Sequence, residues 1–374
     1  MAGSIVKRGP NRYLVRLYLG LVDGKRKYHS KTIHGNKKTA QQYLNKILRE
    51  KDLGELIKPS RELLTEHMNE WLEKEAKTRV RAKTYQNYKD MVNLYINPAL
   101  GDTILSNLTP TQIKGVYSTM IDKGLSPKTV KNTHGVLRNA LEQAVKWGKL
   151  NRNPAELVSL PRQNKQEMKV LTPEQTINFL DAVVNSRWKA LFSLLVTTGM
   201  RPSEALGLKW KDVELENERV TVNRTLTKVD GRWFLEEPKT SRSRRSIPIP
   251  SGVVIDLEEH KKEQAAEKLK AKEGEYTDHG FVFATKNGSP LDKNNIVNRY
   301  FKPLLLSADL PIIRLYDLRH TCATLLLSAG VNPKIVSERL GHASITLTMD
   351  TYSHVLPDMQ KSATDILDTM LFTE

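Results

Sequence analysis

The chain has 374 residues, and its 59 Lys and Arg against 42 Asp and Glu give a formal net charge of +17. At roughly 100–200 residues per domain, that length predicts two or three domains. No apolar run approaches the ~20 residues of a membrane span, and the N-terminus has no apolar signal segment. A single cysteine, Cys322, excludes an internal disulfide framework and a cysteine-rich zinc site. We therefore expect an intracellular protein.

The positive charge is concentrated towards the N-terminus. Residues 1–58 carry 14 basic and 4 acidic side chains, residues 59–167 carry 17 and 11, and residues 168–374 carry 28 and 27. A device for solubility would spread its charge more evenly, whereas a module that binds a polyanion concentrates it. Nucleic acid is the favoured partner, because each phosphate neutralised by Lys or Arg releases counterions. The alternative is an ordinary solvated basic surface.

The first predicted elements are two strands and a helix. Residues 12–33 alternate apolar and polar side chains, with Asp23-Gly24 as a hairpin turn, and residues 37–53 have helical apolar spacing. The second strand has a strongly basic face, and a β-ribbon fits the major groove of DNA. The candidate DNA contacts here are Arg16, Lys25, Arg26 and Lys27.

A hinge is predicted around Pro59, and a helical region follows it. The helices are predicted over 62–78, 81–97, 110–123 and 127–148, with Thr109-Pro110 and Ser126-Pro127 as helix starts. Basic side chains on these helices are further candidates for DNA contact, although such a stripe is usually a solvated face. They are Lys83, Lys128, Lys131 and Arg138.

The segment 153–170 carries two prolines and a polar, charged run, and it predicts a domain linker that ends near Glu167. Beyond it the pattern predicts a helical domain with a small β-sheet insertion arranged as a meander. The predicted helices are 174–186, 188–199, 203–209, 252–270, 316–330 and 332–340, and the β-rich runs are RVTVNRTLT, GRWFLEEPKT and RRSIPIP.

Four segments of this last region carry residue types that handle phosphate esters, while no P-loop, GxGxxG, HExxH or paired-carboxylate motif occurs. Each segment alone is weak evidence, since an isolated Arg, His or Tyr is usually structural. The candidates are Arg201 and Glu204 in TTGMRPSEALGL, Lys239 in EEPKTSRSRRSIPIP, Tyr316 and Arg319 in RLYDLRHTCATLLLSAG, and His342 and Tyr352 in SERLGHASITLTMDTYSH.

Taken in this order, the four segments resemble the tyrosine recombinases of the phage-integrase family. The likeness spans residues 185–360, and the upstream layout is similar to integrases of phages and integrative conjugative elements. The resemblance implies a multidomain fold: a small α+β arm-binding domain at 1–58, an all-α core-binding domain at 59–160, and a mainly α catalytic domain with a small β-sheet insertion at 161–374.

The resemblance also assigns roles to the candidate residues. Arg201 and Arg319 would stabilise the phosphorane, because guanidinium groups match phosphate geometry and keep their charge. Lys239 would protonate the leaving 5′-oxygen, and His342 would hydrogen-bond the scissile phosphate. Glu204 would orient the site.

Tyr352 is implied to be the nucleophile, forming a 3′-phosphotyrosyl bond that conserves the bond energy, so that no cofactor and no metal is expected. One position departs from the family pattern, which usually has His-x-x-Arg where this chain has Tyr316-x-x-Arg319. A phenol can donate a hydrogen bond to phosphate but cannot act as a base near neutral pH. His320 and Cys322 are interpreted as packing and local hydrogen-bonding residues.

The implied function is site-specific recombination that integrates and excises a mobile element, with a homotetramer on double-stranded DNA at core and arm attachment sites. An excisionase and a host DNA-bending protein are implied as further partners, and the location as the bacterial cytoplasm and nucleoid. Arg242, Arg244 and Arg245, beside Lys239, would hold the DNA backbone. The alternatives are a type IB topoisomerase-like enzyme and a non-catalytic DNA-binding regulator with the same fold.

Overall fold

The computed structural model describes residues 3–22, 25–52, 61–163, 168–238, 243–352 and 356–372. The chain forms two compact units, Met1–Lys165 and Gln166–Glu374. The division into three domains at 58 and 160 stays a prediction. The predicted turn at Asp23-Gly24, the hinge around Pro59, and the side chains of Lys25, Lys239 and Arg242 lie outside what the structure describes.

The N-terminal part of the first unit is a three-stranded antiparallel sheet with one helix. The elements are β1 (Gly3–Gly9), β2 (Arg12–Val22), β3 (Lys25–His34) and α1 (Lys37–Asp52), and the strand order is β1-β2-β3. Val15 and Leu17 on β2 are fully buried and pack with Ala40 and Ile47 of α1. The structure agrees with the predicted β2, β3 and α1. Strand β1 was not predicted, because its sequence contains only a short apolar pair.

Helices make up the rest of the first unit. They are α2 (Leu64–Trp71), α3 (Lys77–Arg79), α4 (Ala82–Met91), α5 (Asn97–Leu100), α6 (Pro110–Asp122) and α7 (Pro127–Lys146). The π-helical turn Leu72–Ala76 joins α2 to α3, and Val92–Ile96 joins α4 to α5. The Thr109 and Ser126 hydroxyls accept backbone N–H groups at the starts of α6 and α7, as the Pro-containing pairs predict.

The linker predicted from residue 153 onwards begins too early. Pro154–Leu157 forms a 3₁₀ turn, and Ala155 is fully buried in the core of the helical part. Asn153 caps this turn by accepting the backbone N–H of Ala155 at 3.0 Å. A polar, proline-containing sequence therefore belongs to a packed element here, because its Asn-Pro pair starts a turn whose next residue is apolar.

The second unit is mainly helical. Its helices are α8 (Pro173–Ala182), α9 (Lys189–Thr198), α10 (Pro202–Ala205), α11 (Ser251–Lys270), α12 (Lys293–Ile296), α13 (Lys302–Ser307), α14 (Asp317–Ser328), α15 (Pro333–Leu340), α16 (Ile345–Tyr352) and α17 (Leu356–Phe372). Phe179, Phe192 and Phe301 pack ring to ring in its core. Helices α12, α13 and α16 were not predicted. The sequence of α16, ITLTMDTY, is rich in β-branched residues that disfavour helix, so tertiary packing decides its conformation.

The β insertion has two small sheets rather than the predicted meander. One contains β4 (Val213–Glu214), β5 (Arg219–Val222) and β8 (Arg245–Pro248), and the other is a hairpin of β6 (Thr225–Val229) and β7 (Arg232–Glu236). Strand β5 pairs with β8, with Val220 opposite Ile247. The hairpin is thus an excursion between two paired strands. In the parts of the chain that the structure covers, no helix is long and apolar enough to cross a membrane.

Candidate active site

Arg201 and Glu204 lie where the predicted motif places them, at the start of α10. Arg201 has an extended backbone, and Pro202 begins the helix. The Arg201 Nη1 donates to Glu204 Oε1 at 2.6 Å, and the Arg201 backbone N–H donates to Glu204 Oε2 at 3.0 Å. Glu204 is only 1% exposed, so this carboxylate holds both the main chain and the side chain of Arg201 in place.

Arg245 is a member of this buried network and is not available to hold the DNA backbone. Its Nη2 donates to Glu204 Oε2 at 3.0 Å, and its Nε donates to the Arg339 carbonyl at 2.6 Å. The side chain is only 7% exposed. Burial raises the pKa of Glu204, but the charges of Arg245 and Arg201 outweigh it and hold that pKa below its ordinary value. Arg244, by contrast, is exposed and pairs with Glu237 at 2.6 Å.

Arg319 is buried in the first turn of α14. Its Nη1 donates to the Gly199 carbonyl at 2.7 Å, while its buried Nη2 has no hydrogen-bond partner among the described residues. Gly199 ends α9 with φ +65°, and a Cβ there would lie 2.5 Å from Leu340 Cδ2. Burial and the nearby charge of Arg201 lower the pKa of Arg319. The free Nη2 is therefore a donor suited to an anion.

His342 follows α15, as predicted. Gly341 takes the left-handed conformation, and the N–H groups of Gly341 and His342 close the helix end on Glu338 and Ser337 carbonyls. The His342 Nδ1 lies 2.7 Å from Thr348 Oγ1. Burial and the charges of three arginines lower the pKa of His342 to about 3, so the ring is neutral at pH 7. If Nδ1 accepts from Thr348, Nε2–H is left to donate.

Tyr352 is the last residue of α16 and is 1% exposed. Its ring packs with Ala323 and Leu327 of α14, and burial raises the pKa of its phenol. The Tyr352 Oη lies 2.8 Å from Nδ1 of His320. Tyr316 immediately precedes α14, is 39% exposed, and has its ring centroid 5.3 Å from that of His320.

Four of the candidates therefore share one electrostatic environment. The charges of Arg201 and Arg319 act on His342, and the charge of Arg319 acts on Tyr352. Two side chains of the cluster were not among the predicted catalytic residues: Arg245, which was expected to hold the DNA backbone, and His320. Cys322 is buried with its Sγ 3.4 Å from the Thr197 carbonyl, in agreement with its interpretation as a packing residue.

The predicted DNA contacts of the first unit are exposed where they are described. Arg16, Arg26 and Lys27 lie on the sheet, and the Arg16 guanidinium sits 4.6 Å from the centre of the Tyr28 ring. On the helices the exposed side chains are Lys83, Lys128, Lys131 and Arg138. Arg138 pairs with Glu156 at 2.9 Å, so part of its charge is already compensated.

One group of side chains in the helical part has the composition of a metal site, namely Glu62, His67 and Glu70. Lys149 occupies it, with its Nζ 2.6 Å from a Glu62 oxygen and 2.5 Å from a Glu70 oxygen. Two carboxylates around one ammonium already form a charge-assisted structural contact. This group therefore acts as an ion-paired part of the helical core.

Comparison with known proteins agrees with this geometry. A family model described as the phage integrase family matches residues 169–359, which include the arginines, His342 and Tyr352. A model of the phage integrase N-terminal SAM-like domain matches residues 63–121. The XerC-like tyrosine recombinase of Caldanaerobacter subterraneus subsp. tengcongensis is 30% identical over 98% of this chain and 98% of its own length. The chain belongs to the phage integrase family.

Membership makes the chain a tyrosine-type site-specific recombinase. The ICEBs1 integrase of Bacillus subtilis is 31% identical, over 77% of this chain and 78% of its own length. A Tn1549 transposon integrase in complex with circular intermediate DNA has a similar fold, with a TM-score of 0.69 at 24% identity over 82% of this chain and 99% of that one. A lambda integrase tetramer bound to a Holliday junction matches with a TM-score of 0.56 at 19% identity, over 91% and 96%.

Proposed function

We propose that this recombinase cleaves and rejoins DNA with Tyr352 as its nucleophile, to integrate and excise a mobile element. The observation that carries the proposal is the partly buried cluster of Arg201, Arg319 and His342 beside a phenol held by an imidazole. The Arg319 Nη2, buried and without a partner among the described residues, is the donor that a non-bridging phosphate oxygen would satisfy.

In the proposed cleavage step, the Tyr352 Oη gives up its proton to a neighbouring base and attacks the phosphorus, and the bond from phosphorus to the 5′-oxygen breaks. Arg201 and Arg319 stabilise the negative charge of the phosphorane, and the Nε2–H of His342 donates to one of its oxygens. Lys239 donates its proton to the leaving 5′-oxygen. The products are a 3′-phosphotyrosyl bond and a free 5′-hydroxyl, whose attack on the same phosphorus reverses the step.

We further propose the assembly in which the reaction runs. Four protomers hold two duplexes and exchange strands through a Holliday junction, as the tetrameric lambda integrase bound to such a junction supports. Residues 1–58 bind arm sites, and residues 59–160 and 161–374 bind the core site. An excisionase and a host DNA-bending protein are proposed partners, and the bacterial cytoplasm and nucleoid the proposed location.

A nicked suicide oligonucleotide tests the proposal, because loss of the short 5′-hydroxyl strand traps the covalent adduct. Wild-type protein should form an adduct whose peptide maps to Tyr352, and Tyr352→Phe should bind DNA without forming it. Tyr300→Phe is the matched control, since Tyr300 is exposed and packs on Trp188 outside the cluster. An adduct mapped to Tyr316, or adduct formation by Tyr352→Phe, contradicts the assignment.

Recombination of two attachment sites distinguishes this function from the topoisomerase alternative. A recombinase should convert a pair of short attachment-site duplexes into exchanged products and accumulate a four-way junction. Relaxation of supercoiled DNA without either product would favour the hypothesis of a topoisomerase-like enzyme. DNA binding with no adduct in wild-type protein would favour the non-catalytic regulator.

A further inference from the structure

The proposed nucleophile has an imidazole neighbour, His320, for which no catalytic role was expected. His320 lies on α14 directly after Arg319, and its Nδ1 is 2.8 Å from the Tyr352 Oη. The two rings have their centroids 5.7 Å apart. This hydrogen bond joins α14 to the end of α16 across 32 positions of sequence. It is a tertiary contact on the reacting atom, and not the local contact expected for His320.

Tyr316 cannot accept the proton of Tyr352. It is 39% exposed, and the oxygen of a neutral phenol is too weak a base to take a proton at neutral pH. Its ring contacts the edge of the His320 ring at 5.3 Å. An imidazole, in contrast, accepts a proton in the physiological range and can return it in the reverse step.

We propose that His320 is a catalytic residue, the general base that takes the proton from Tyr352 Oη as the phenol attacks DNA. The proposal rests on the proposed function and adds a residue to it. As the bond from Oη to phosphorus forms, the phenolic proton passes to Nδ1 and the imidazole becomes imidazolium, while the leaving 5′-oxygen takes its proton from Lys239. In the rejoining step the imidazolium returns its proton to the departing Oη.

The surroundings of His320 keep it in the form that the step requires. Burial is the main cause that lowers the pKa of His320. Asp317 raises that pKa, and Arg319 and Arg314 lower it. The ring is therefore neutral at pH 7, and its tautomer with the proton on Nε2 leaves Nδ1 to accept from Oη.

The remaining groups that face His320 do not supply the same function. Tyr352 on α16 is its partner and Tyr316 its exposed neighbour, and a neutral phenol is not a base at neutral pH. His342, between α15 and α16, also acts electrostatically with His320, but its pKa of about 3 keeps it neutral near pH 7. An acidic limb in the cleavage rate would thus belong to His320.

The variant His320→Asn separates proton transfer from positioning. Asparagine places an amide oxygen near the position of Nδ1, so the hydrogen bond from Oη is kept while the proton acceptor is lost. The rate of adduct formation on the suicide oligonucleotide should fall by roughly 10²–10⁴-fold, the usual contribution of a positioned base. The matched control is His279→Asn, the same change at an exposed histidine outside the cluster, and it should cleave at the wild-type rate.

The pH profile is the readout that a structural role would not move. The wild-type rate should fall as pH drops through the lowered pKa of His320. The rate of His320→Asn should instead rise with pH across the whole range, because hydroxide must then remove the phenolic proton. If His320→Asn has too low a melting temperature to be assayed, His320→Gln replaces it in the same experiment. Fluorotyrosine at 352, with a more acidic phenol, should restore His320→Asn more than it accelerates wild type.

Three outcomes overturn the proposal. One is a His320→Asn rate within about threefold of wild type, well short of a base's contribution. A slow variant that keeps the wild-type acidic limb is another, because His320 then only positions Tyr352. A wild-type profile without any acidic limb is the third. Failure of the proposed function looks different, since wild-type protein would then form no adduct at Tyr352.

Discussion

Glu204 offers the sharpest test of how the catalytic cluster is held together. Its carboxylate, 1% exposed, accepts from Arg201 at 2.6 Å and from Arg245 at 3.0 Å. The variant Glu204→Gln keeps the shape but removes the charge, and it turns an amide N–H towards a guanidinium. Breaking a buried ion pair by removing one partner costs about 3–5 kcal/mol of the free energy of unfolding.

That free energy converts into a measurable change of melting temperature. For domains of 150–250 residues, 1 kcal/mol shifts Tm by about 2–4 °C, so Glu204→Gln should lower the Tm of the catalytic unit by about 6–20 °C. Differential scanning calorimetry of the full chain is the assay. The control is Glu237→Gln, because the pair of Glu237 with Arg244 is exposed and such pairs contribute about 0.2–1 kcal/mol.

The pH dependence of stability provides a second test of the role of Glu204. Although burial raises the pKa of Glu204, the charges of Arg245 and Arg201 hold it below its ordinary value. A lowered carboxyl pKa contributes stability that is present above the unfolded pKa and is lost as pH falls through the folded one. The Tm difference between wild type and Glu204→Gln should therefore be largest near pH 7 and shrink below about pH 4. A variant that melts within about 2 °C of wild type at pH 7 would refute the reasoning, since this is the shift of a surface pair.

Two predictions concern residues that the structure describes only in part. Lys239→Ala should slow cleavage by ~10²–10⁴-fold, because a general acid is lost. A substrate with a 5′-bridging sulfur should restore cleavage by Lys239→Ala but not by Arg201→Ala. Equal rescue of both variants would show that Lys239 is not the general acid. Deletion of residues 1–58 should abolish binding to arm sites, with core-site cleavage largely intact, and the arm binding of the full chain should weaken steeply with salt in a filter-binding titration. Equal loss of both functions would make the segment a structural part of the core.

Features set by local chemistry were predictable from the sequence. The helix starts at Pro110 and Pro127 follow from a capping hydroxyl and a proline, which satisfy unpaired N–H groups within one turn. The position of Arg201 before α10 and of His342 after α15 likewise depends on neighbours within four residues. In each case the residues that decide the backbone lie side by side in the chain.

The burial of Arg245 could have been predicted from the sequence. Side chains alternate across a strand, so Arg245 shares a face with Ile247, which is 1% exposed. Both arginines of RRSIPIP were expected to hold the DNA backbone, whereas the period of two in this run places Arg245 with the core and Arg244 with the solvent. A buried arginine then needs a carboxylate, and Glu204 provides it from another part of the chain.

His320 could not have been assigned in this way. Its contact with Tyr352 depends on how α14 packs against α16, and α16 itself has a sequence that does not favour helix. Nothing within one turn of either residue specifies that contact. Only the packing of Tyr352 against Ala323 and Leu327 brings the phenol to the face of α14 that presents the imidazole.

The net charge of the cluster bears on how the site would bind a DNA phosphate. Glu204 carries one negative charge against the three positive charges of Arg201, Arg245 and Arg319, and burial disfavours an excess of this kind. Burial, together with the charge of Arg319, keeps His342 and His320 neutral, the forms in which one can donate to a phosphate from Nε2 and the other can accept a proton. A phosphodiester entering the cluster would offset one positive charge and satisfy the Arg319 Nη2. In the proposed mechanism this uncompensated positive charge favours binding of the scissile phosphate, and the greater negative charge of the phosphorane makes the stabilisation greatest in the transition state.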